Sequence, residues 1–352
     1  MSFKPARALS LAIAVALSAV FGSASASAQK IAIATWGGAT GETWRQAFVK
    51  PFQEETGIPV ELTEVPNPES SVRTLASKPQ YNAALVTYFD AVKLYQDGLI
   101  EGFEAADLPE LANIPDTDRL KAPDGKFLGA PVYYTLFGIA YNTETVNPTD
   151  VRSWKSLANP SWKDRIAISQ PIWLAAYQLP ILAYTVGGTE KDIEPALPLF
   201  KSYVKNASVL YGSLAQLTQL LTRGEIEAAP FYYSQIWGMR HSGIKNVSIL
   251  IPDEGALKLP YIVVVPKGSF DRDAAKRWLN FVASAKSQER ASSTAGFFPV
   301  NDKAKVSAEF EAQLGMPVEE ARRKMIELDW FLTARTHRER TDLVEKIIAG
   351  SK

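Results

Sequence analysis

Apolar and polar positions along the chain switch repeatedly between the period of a strand and that of a helix. Lys30 to Thr35 is a short β-rich run, Trp36-Gly37-Gly38 a turn, and Thr40 to Glu55 carries Trp44, Ala47, Phe48 and Phe52 at helical spacing. Gly57 suits a helix stop, and Ile58 to Leu62 reads as the next strand. Pro68 to Ser77 is a short helix, Ala83 to Thr87 an apolar strand, and Ala91 to Gln96 a helix closed by Gly98. This alternation predicts an α/β sandwich with a largely parallel sheet.

Two strand-like runs then stand close together, Phe127–Tyr134 and Leu136–Asn142. A second alternation follows them: strands at Arg165–Ser169, Ser208–Tyr211 and Ala228–Tyr233, and helices at Ile172–Val186, Ile193–Val204, Ser213–Thr222 and Gln235–Arg240. It predicts a second lobe. Val247–Ile251 and Tyr261–Val265 are further strands, Asp271–Ala285 is an amphipathic helix, and Val318–Leu328 and Arg338–Ile348 read as terminal helices. No repeat or flexible linker separates the blocks, so strands that cross more than once are expected to join them as a stiff hinge.

The N-terminus changes the setting. Lys4 and Arg7 precede an apolar run of 13 residues, Leu9 to Phe21, and small residues follow at Ala26-Ser27-Ala28. This is the layout of a secretory signal peptide (residues 1–28), cleaved near Ala28, and the run is shorter than the ~20 residues a spanning helix needs. The expected location is the bacterial periplasm. The whole chain of 352 residues carries 38 basic and 38 acidic side chains; removing the leader leaves 36 against 38. That balance argues against a nucleic-acid coater. The absence of Cys excludes disulfides, thiol nucleophiles, a lipoprotein anchor and Cys-based metal sites, and two lone His exclude a His-rich metal centre.

Chemical motifs are mostly missing. No phosphate loop, dinucleotide fingerprint, His-Glu-x-x-His or Gly-x-Ser-x-Gly occurs. His241 and His337 read as solvated surface residues, and the pairs Asp116/Asp118 and Asp271/Asp273 as turn or cap residues. Aromatic residues, by contrast, gather where strands end: Trp36 beside Gly37, Tyr88-Phe89, Tyr133-Tyr134, Trp173, Tyr211 and Tyr232-Tyr233. In a parallel α/β sheet ligands bind beyond the carboxyl ends of strands, so these places are expected to converge on one cleft. Trp36, exposed by its turn, is read as a ligand contact. For Tyr88, Tyr134, Trp173, Tyr232 and Tyr233 both a cleft and a core role stay open. At most one of the adjacent Tyr232 and Tyr233 points into a cleft while the strand is extended. Ser213 is a candidate that also suits a plain N-cap. Trp44, Trp154, Trp162, Trp278 and Trp330 read as core.

Several segments together resemble bacterial extracellular solute-binding proteins. They are the leader, Thr35-Trp36-Gly37-Gly38, Phe52 to Val60, Asp97-Gly98-Leu99-Ile100, Asp124 to Pro131, Ile139-Ala140-Tyr141-Asn142, Ser153 to Pro160, Pro252 to Ala256, Phe297 to Asn301 and Glu327-Leu328-Asp329-Trp330. The chain is most similar to the spermidine/putrescine-binding-like branch, which also includes iron, thiamine and phosphonate binders. The resemblance implies a type II periplasmic binding protein fold, with two α/β lobes, a cleft and a two-strand hinge near 131–137 and 254–262. It divides the chain into lobe 1 (29–132 plus 261–300), lobe 2 (133–260) and C-terminal helices (301–352) packing on both. The implied role is a monomeric, non-enzymatic receptor without cofactors, which captures a small solute by lobe closure and delivers it to an ABC permease.

Within that resemblance Glu254 matches a Glu-Gly motif and is either a ligand contact or a hinge support. The polyamine pattern places a Trp near Leu259 and an Asp near Tyr261. Losing that carboxylate removes the partner a buried ammonium needs, which favours a singly charged amine, a zwitterion or an organic anion. Two alternatives remain. One is a ferric-iron-binding protein using Tyr232 and Tyr233, since a hard cation accepts phenolate oxygens. The other is an exported hydrolase.

Overall fold

The fold is described from a computed structural model covering Met1 and residues 30–351. The expected leader, Met1 apart, lies outside the described residues. Eleven strands share one sheet: β1 (Ile31–Trp36), β2 (Val60–Val65), β3 (Ala83–Thr87), β4 (Ala130–Asn142), β5 (Ile166–Ser169), β6 (Ala207–Tyr211), β7 (Ala228–Tyr232), β8 (Val247–Leu250), β9 (Ala256–Val264), β10 (Phe298–Pro299) and β11 (Met325–Ile326). The order is β2-β1-β3-β9-β4-β7-β5-β6, with β8 and β10 paired to β4 and β11 paired to β9.

The pairs β1–β2, β1–β3, β5–β6 and β5–β7 are parallel. Helical crossovers link their strands, as short apolar strands alternating with amphipathic helices require. The two long central strands run against their longer neighbours: β9 is antiparallel to β3 and to β4, and β4 is antiparallel to β7, while the short β11 is parallel to β9. All 13 residues of β4 are buried, including the polar Thr135 that stands between the two expected runs. Phe127–Tyr134 and Leu136–Asn142 look like two runs for this reason, but Ala130–Asn142 is one strand.

Other differences have local causes. The expected helix Asp271–Ala285 is split into Arg272–Ala283 and Ala285–Ala295, because Ser284 turns extended and its hydroxyl caps the next helix at the Ser287 amide. Asp271 caps the first of the two at the Ala274 amide, 2.9 Å away. The expected helix Val318–Leu328 ends at Arg323, since Met325 and Ile326 pair with Ala256 and Leu257 instead. A short helix, Ala308–Leu314, escaped the pattern, and the last helix runs over Trp330–Ala349. As the helical spacing predicts, Trp44, Trp154, Trp162, Trp278 and Trp330 are buried.

Gly129 sits where β4 meets β9. Its φ is 153°, and a Cβ there would lie 2.1 Å from the Val263 carbonyl oxygen. Gly129→Ala is therefore expected to lower stability by about 3 kcal/mol through backbone strain and overpacking, read as a lower urea midpoint. An unchanged midpoint would show that the β4–β9 junction yields freely.

Candidate functional site

The carboxyl ends of the parallel strands carry Trp36 (β1), Thr87 (β3), Ser169 (β5), Tyr211 (β6) and Tyr232 (β7). Tyr261 on β9 pairs with Thr87 on one side and with Tyr133 on the other. The sheet thus delivers residues from both of its ends to the middle of β4 and β9. Trp36 meets Tyr261 edge-on at 5.8 Å between centroids, and Tyr261 lies 5.3 Å from Tyr133. From the other end, Tyr232 approaches Phe137 of β4 at 5.3 Å.

Tyr177 joins the two groups. It belongs to the helical segment Pro171–Thr185, which opens into a wide π turn over Leu174–Gln178. Its ring lies 6.3 Å from Phe137, stacks on Trp173 at 5.4 Å, and reaches Phe89 at 6.5 Å and Trp330 at 6.2 Å. The Thr87 side chain lies close to the Tyr177 hydroxyl.

One carboxylate faces these rings. Asp90, in the first turn of helix Tyr88–Gln96, is 6% exposed. Its Oδ2 accepts from the Thr87 hydroxyl at 2.8 Å, and Oδ1 lies 3.5 Å from Lys93 Nζ. Burial pushes its carboxyl up, against the pull of Lys93 and the Thr87 hydrogen bond. The phenols of Tyr177 and Tyr261 are raised mainly by burial and then by the Asp90 charge (for Tyr261) or by Asp90 and Tyr261 together (for Tyr177). The Tyr232 phenol is raised by burial and by its neighbours Tyr211, Tyr177 and Tyr261. All three therefore stay protonated at neutral pH, and the Asp90 charge acts on two of them, Tyr177 and Tyr261.

The turn after β1 is already neutralised. Gly38, at φ 66°, donates its amide to Glu64 at 3.0 Å, and Arg45 pairs with the same carboxylate. Glu64 thus occupies the place at the following helix start where a ligand anion would otherwise be favoured. Its own carboxyl is held low by Arg45 and the Gly38 amide.

The named candidates divide among several places. Trp36, Trp173, Tyr232 and Tyr261 enter the ring cluster, and Gly37 is exposed beside Trp36. Tyr88 and Tyr134 lie on the opposite side of the crossing strands and line a separate cavity. Tyr233 is buried with Phe298 and Phe310, its hydroxyl donating to the Phe310 carbonyl at 3.2 Å. Ser213 is an exposed N-cap, accepting from the Gln216 amide at 3.2 Å. Glu254 accepts from the Ser153 hydroxyl and the Trp154 amide and so braces the hinge turn. His337 is not a solvated surface residue: it is half-buried, 4.8 Å from the Phe89 ring, with Nε2 2.9 Å from the Ile172 carbonyl, and burial lowers its pKa. Among the described residues no three His, Cys, Asp or Glu come together as a metal site, and no helix is long and apolar enough to cross a membrane.

The family profile described as bacterial extracellular solute-binding protein matches residues 47–318. A spermidine/putrescine-binding periplasmic protein of Salmonella typhimurium is 19% identical over 257 residues, covering 71% of this chain and 72% of that protein. Iron uptake protein A1 of Synechocystis is 25% identical over 251 residues, covering 67% of each. An ABC transporter substrate-binding protein from Bradyrhizobium japonicum superposes with a TM-score of 0.73 at 18% identity, over 92% of this chain and 99% of that structure. The fold is that of the periplasmic binding proteins, and on the extent of the profile match the chain belongs to the bacterial extracellular solute-binding protein family.

Proposed function

We propose that the protein is the periplasmic receptor of an ABC importer for a small solute bearing one ammonium group, a monoamine or a zwitterion. Asp90 supplies the counter-charge, Thr87 and the Tyr177 hydroxyl hold it, and Trp36, Trp173, Tyr232 and Tyr261 supply ring faces and hydroxyls. The observation that carries the reading is a carboxylate nine-tenths buried among aromatic rings from both ends of the sheet. The ionised acid is costly to bury, Lys93 and Thr87 offset part of that cost, and a bound ammonium would offset more. Each ring face adds about 0.5–2 kcal/mol of cation–π attraction. The relative named for spermidine and putrescine has amine ligands, which agrees with this chemistry. A single buried carboxylate suits one ammonium better than two.

In this reading residues 29–132 with 261–300 form one lobe, 133–260 the other, and 301–352 pack back on both. Asp90 and Trp36 belong to the first, Tyr177 and Tyr232 to the second, so a ligand touching all four favours the closed arrangement. The monomer suffices, since each group comes from one chain. A ferric reading through the tyrosine pair is not adopted, because Tyr232 and Tyr233 sit in separate ring clusters.

The test is a calorimetric screen of primary amines, amino acids and organic acids. At least one ammonium-bearing solute should bind saturably; binding confined to solutes without an ammonium group would overturn the reading. With the ligand found, Trp36→Ala is expected to weaken binding by about 1–3 kcal/mol. Tyr134→Ala, on the other face of the strands, should weaken it less. The reverse ranking would move the site to the far side of β4 and β9.

A further inference from the structure

Helices begin just beyond β1, β3, β5, β6 and β7. A helix start of this kind ordinarily offers amide hydrogens to a ligand anion. Here each start is engaged by the protein itself. After β1, Glu64 takes the Gly38 amide and pairs with Arg45, and a Cβ at Gly37 would lie 2.8 Å from Glu64 Oε2, so this carboxylate fills the turn. After β3, the Thr87 hydroxyl oxygen accepts from the Asp90 amide at 3.1 Å, and the Asp90 carboxylate stands in the first turn. After β5, Pro171 brings no amide hydrogen, and the Trp173 amide donates to the Gln170 carbonyl at 3.0 Å. After β6, the Gly212 amide donates to Gln216 Oε1 at 2.9 Å and the Gln216 amide to the Ser213 hydroxyl. After β7, the Ser234 amide donates to the Thr135 hydroxyl at 3.3 Å.

The cations beside these starts are engaged as well. Arg45 pairs with Glu64, and Lys93 Nζ lies 3.5 Å from Asp90 and 3.7 Å from Glu69. His337 directs Nε2 at the Ile172 carbonyl, 2.9 Å away. The rim is apolar instead. Ile172 and Leu214, each 38% exposed, stand in the first turns after β5 and β6, and those strands are direct neighbours, with Ser169 beside Tyr211. Ile172 also adjoins Trp173 of the ring cluster in the chain.

We propose that the ligand is an ammonium compound with an uncharged aromatic body, an arylalkylamine, and that amino acids are excluded. This rests on the amine reading with Asp90 as counter-charge and narrows it. A carboxylate on the same ligand would lose its water, find these amides and cations engaged, and lie near the charges of Asp90 and Glu64. An aromatic body meets the rings of Trp36, Trp173, Tyr232 and Tyr261 and then the apolar rim.

The full chain is titrated calorimetrically with four probes. Phenethylamine is the first. Phenylalanine adds only a carboxylate to it, ethanolamine replaces its ring by a hydroxyl, and hydrocinnamate carries a carboxylate in place of the ammonium. Phenethylamine is expected to bind saturably, phenylalanine about 30-fold more weakly and ethanolamine about 10-fold more weakly. Phenylalanine or ethanolamine binding as tightly as phenethylamine would overturn the narrowing and leave the amine reading standing. Binding by hydrocinnamate alone would overturn both, and absence of phenethylamine binding would overturn the arylalkylamine proposal. Glu64→Gln removes the charge opposite Arg45, so phenylalanine should gain about tenfold in affinity relative to phenethylamine. An unchanged ratio would overturn the exclusion assigned to Glu64.

Discussion

Asp90→Asn is expected to leave a folded protein that binds its amine roughly 30- to 1,000-fold more weakly, a loss of about 2–4 kcal/mol. The substitution keeps the shape of the side chain and its bond from Thr87, while Lys93 keeps Glu69, 3.7 Å away. What is lost is the charge that faces the ammonium. The free protein should be no less stable, and more stable at neutral pH. The reason is the sign of the shift: burial raises the folded-state pKa of Asp90 above its ordinary carboxylate value, so the unfolded chain ionises first. Wild-type stability therefore falls as pH rises from that ordinary value through the raised one, and the Asn variant lacks this slope. Binding runs the other way, because the ammonium needs the ionised acid, so wild-type affinity should fall as pH is lowered through the raised pKa. Calorimetric titration across that range checks both. Equal affinity of the two proteins at neutral pH would remove Asp90 from the site.

Trp154→Ala is expected to do the opposite, costing about 3–5 kcal/mol of stability and roughly 10 °C of melting temperature. The Trp154 side chain is fully buried, and its Nε1 donates to the Gly255 carbonyl at 2.8 Å. Its backbone carbonyl accepts from the Tyr203 hydroxyl, and its ring stacks on Phe137 at 6.0 Å. Truncation leaves a large void and an unpaired carbonyl at the turn that Glu254 braces. Loss of stability should exceed loss of affinity, measured well below the transition. A melting temperature within 2–3 °C of wild type, on the order of 1 kcal/mol, would mean that this corner repacks.

The alternation of strands and helices was legible because apolar period and turn residues agree over short elements. Strand-end logic also named Trp36, Trp173 and Tyr232, which the structure gathers in the ring cluster, since position at the end of a parallel strand is itself a sequence feature. It could not sort Tyr88, Tyr134 and Tyr233, because which face a residue takes depends on strand register and bulges. β4 shifts register between Pro131 and Tyr133, exchanging the faces of the residues that follow. Asp90 escaped notice because an acid in a first helical turn normally reads as a favourable dipole partner in water. Its burial comes from rings supplied almost ninety residues later. Tyr177, inside an apolar helical run, looks like core; only the π turn brings its hydroxyl to Thr87.

The place of β9 in the sheet has a consequence for how the molecule assembles. Strands β3 and β4 are separated by about forty residues but do not touch as partners; residues 256–264 lie between them. During synthesis the early segments must wait, unpaired along those edges, until the late strand arrives. Closing so long a loop is slow, which gives the chain a prolonged open stage before its final consolidation.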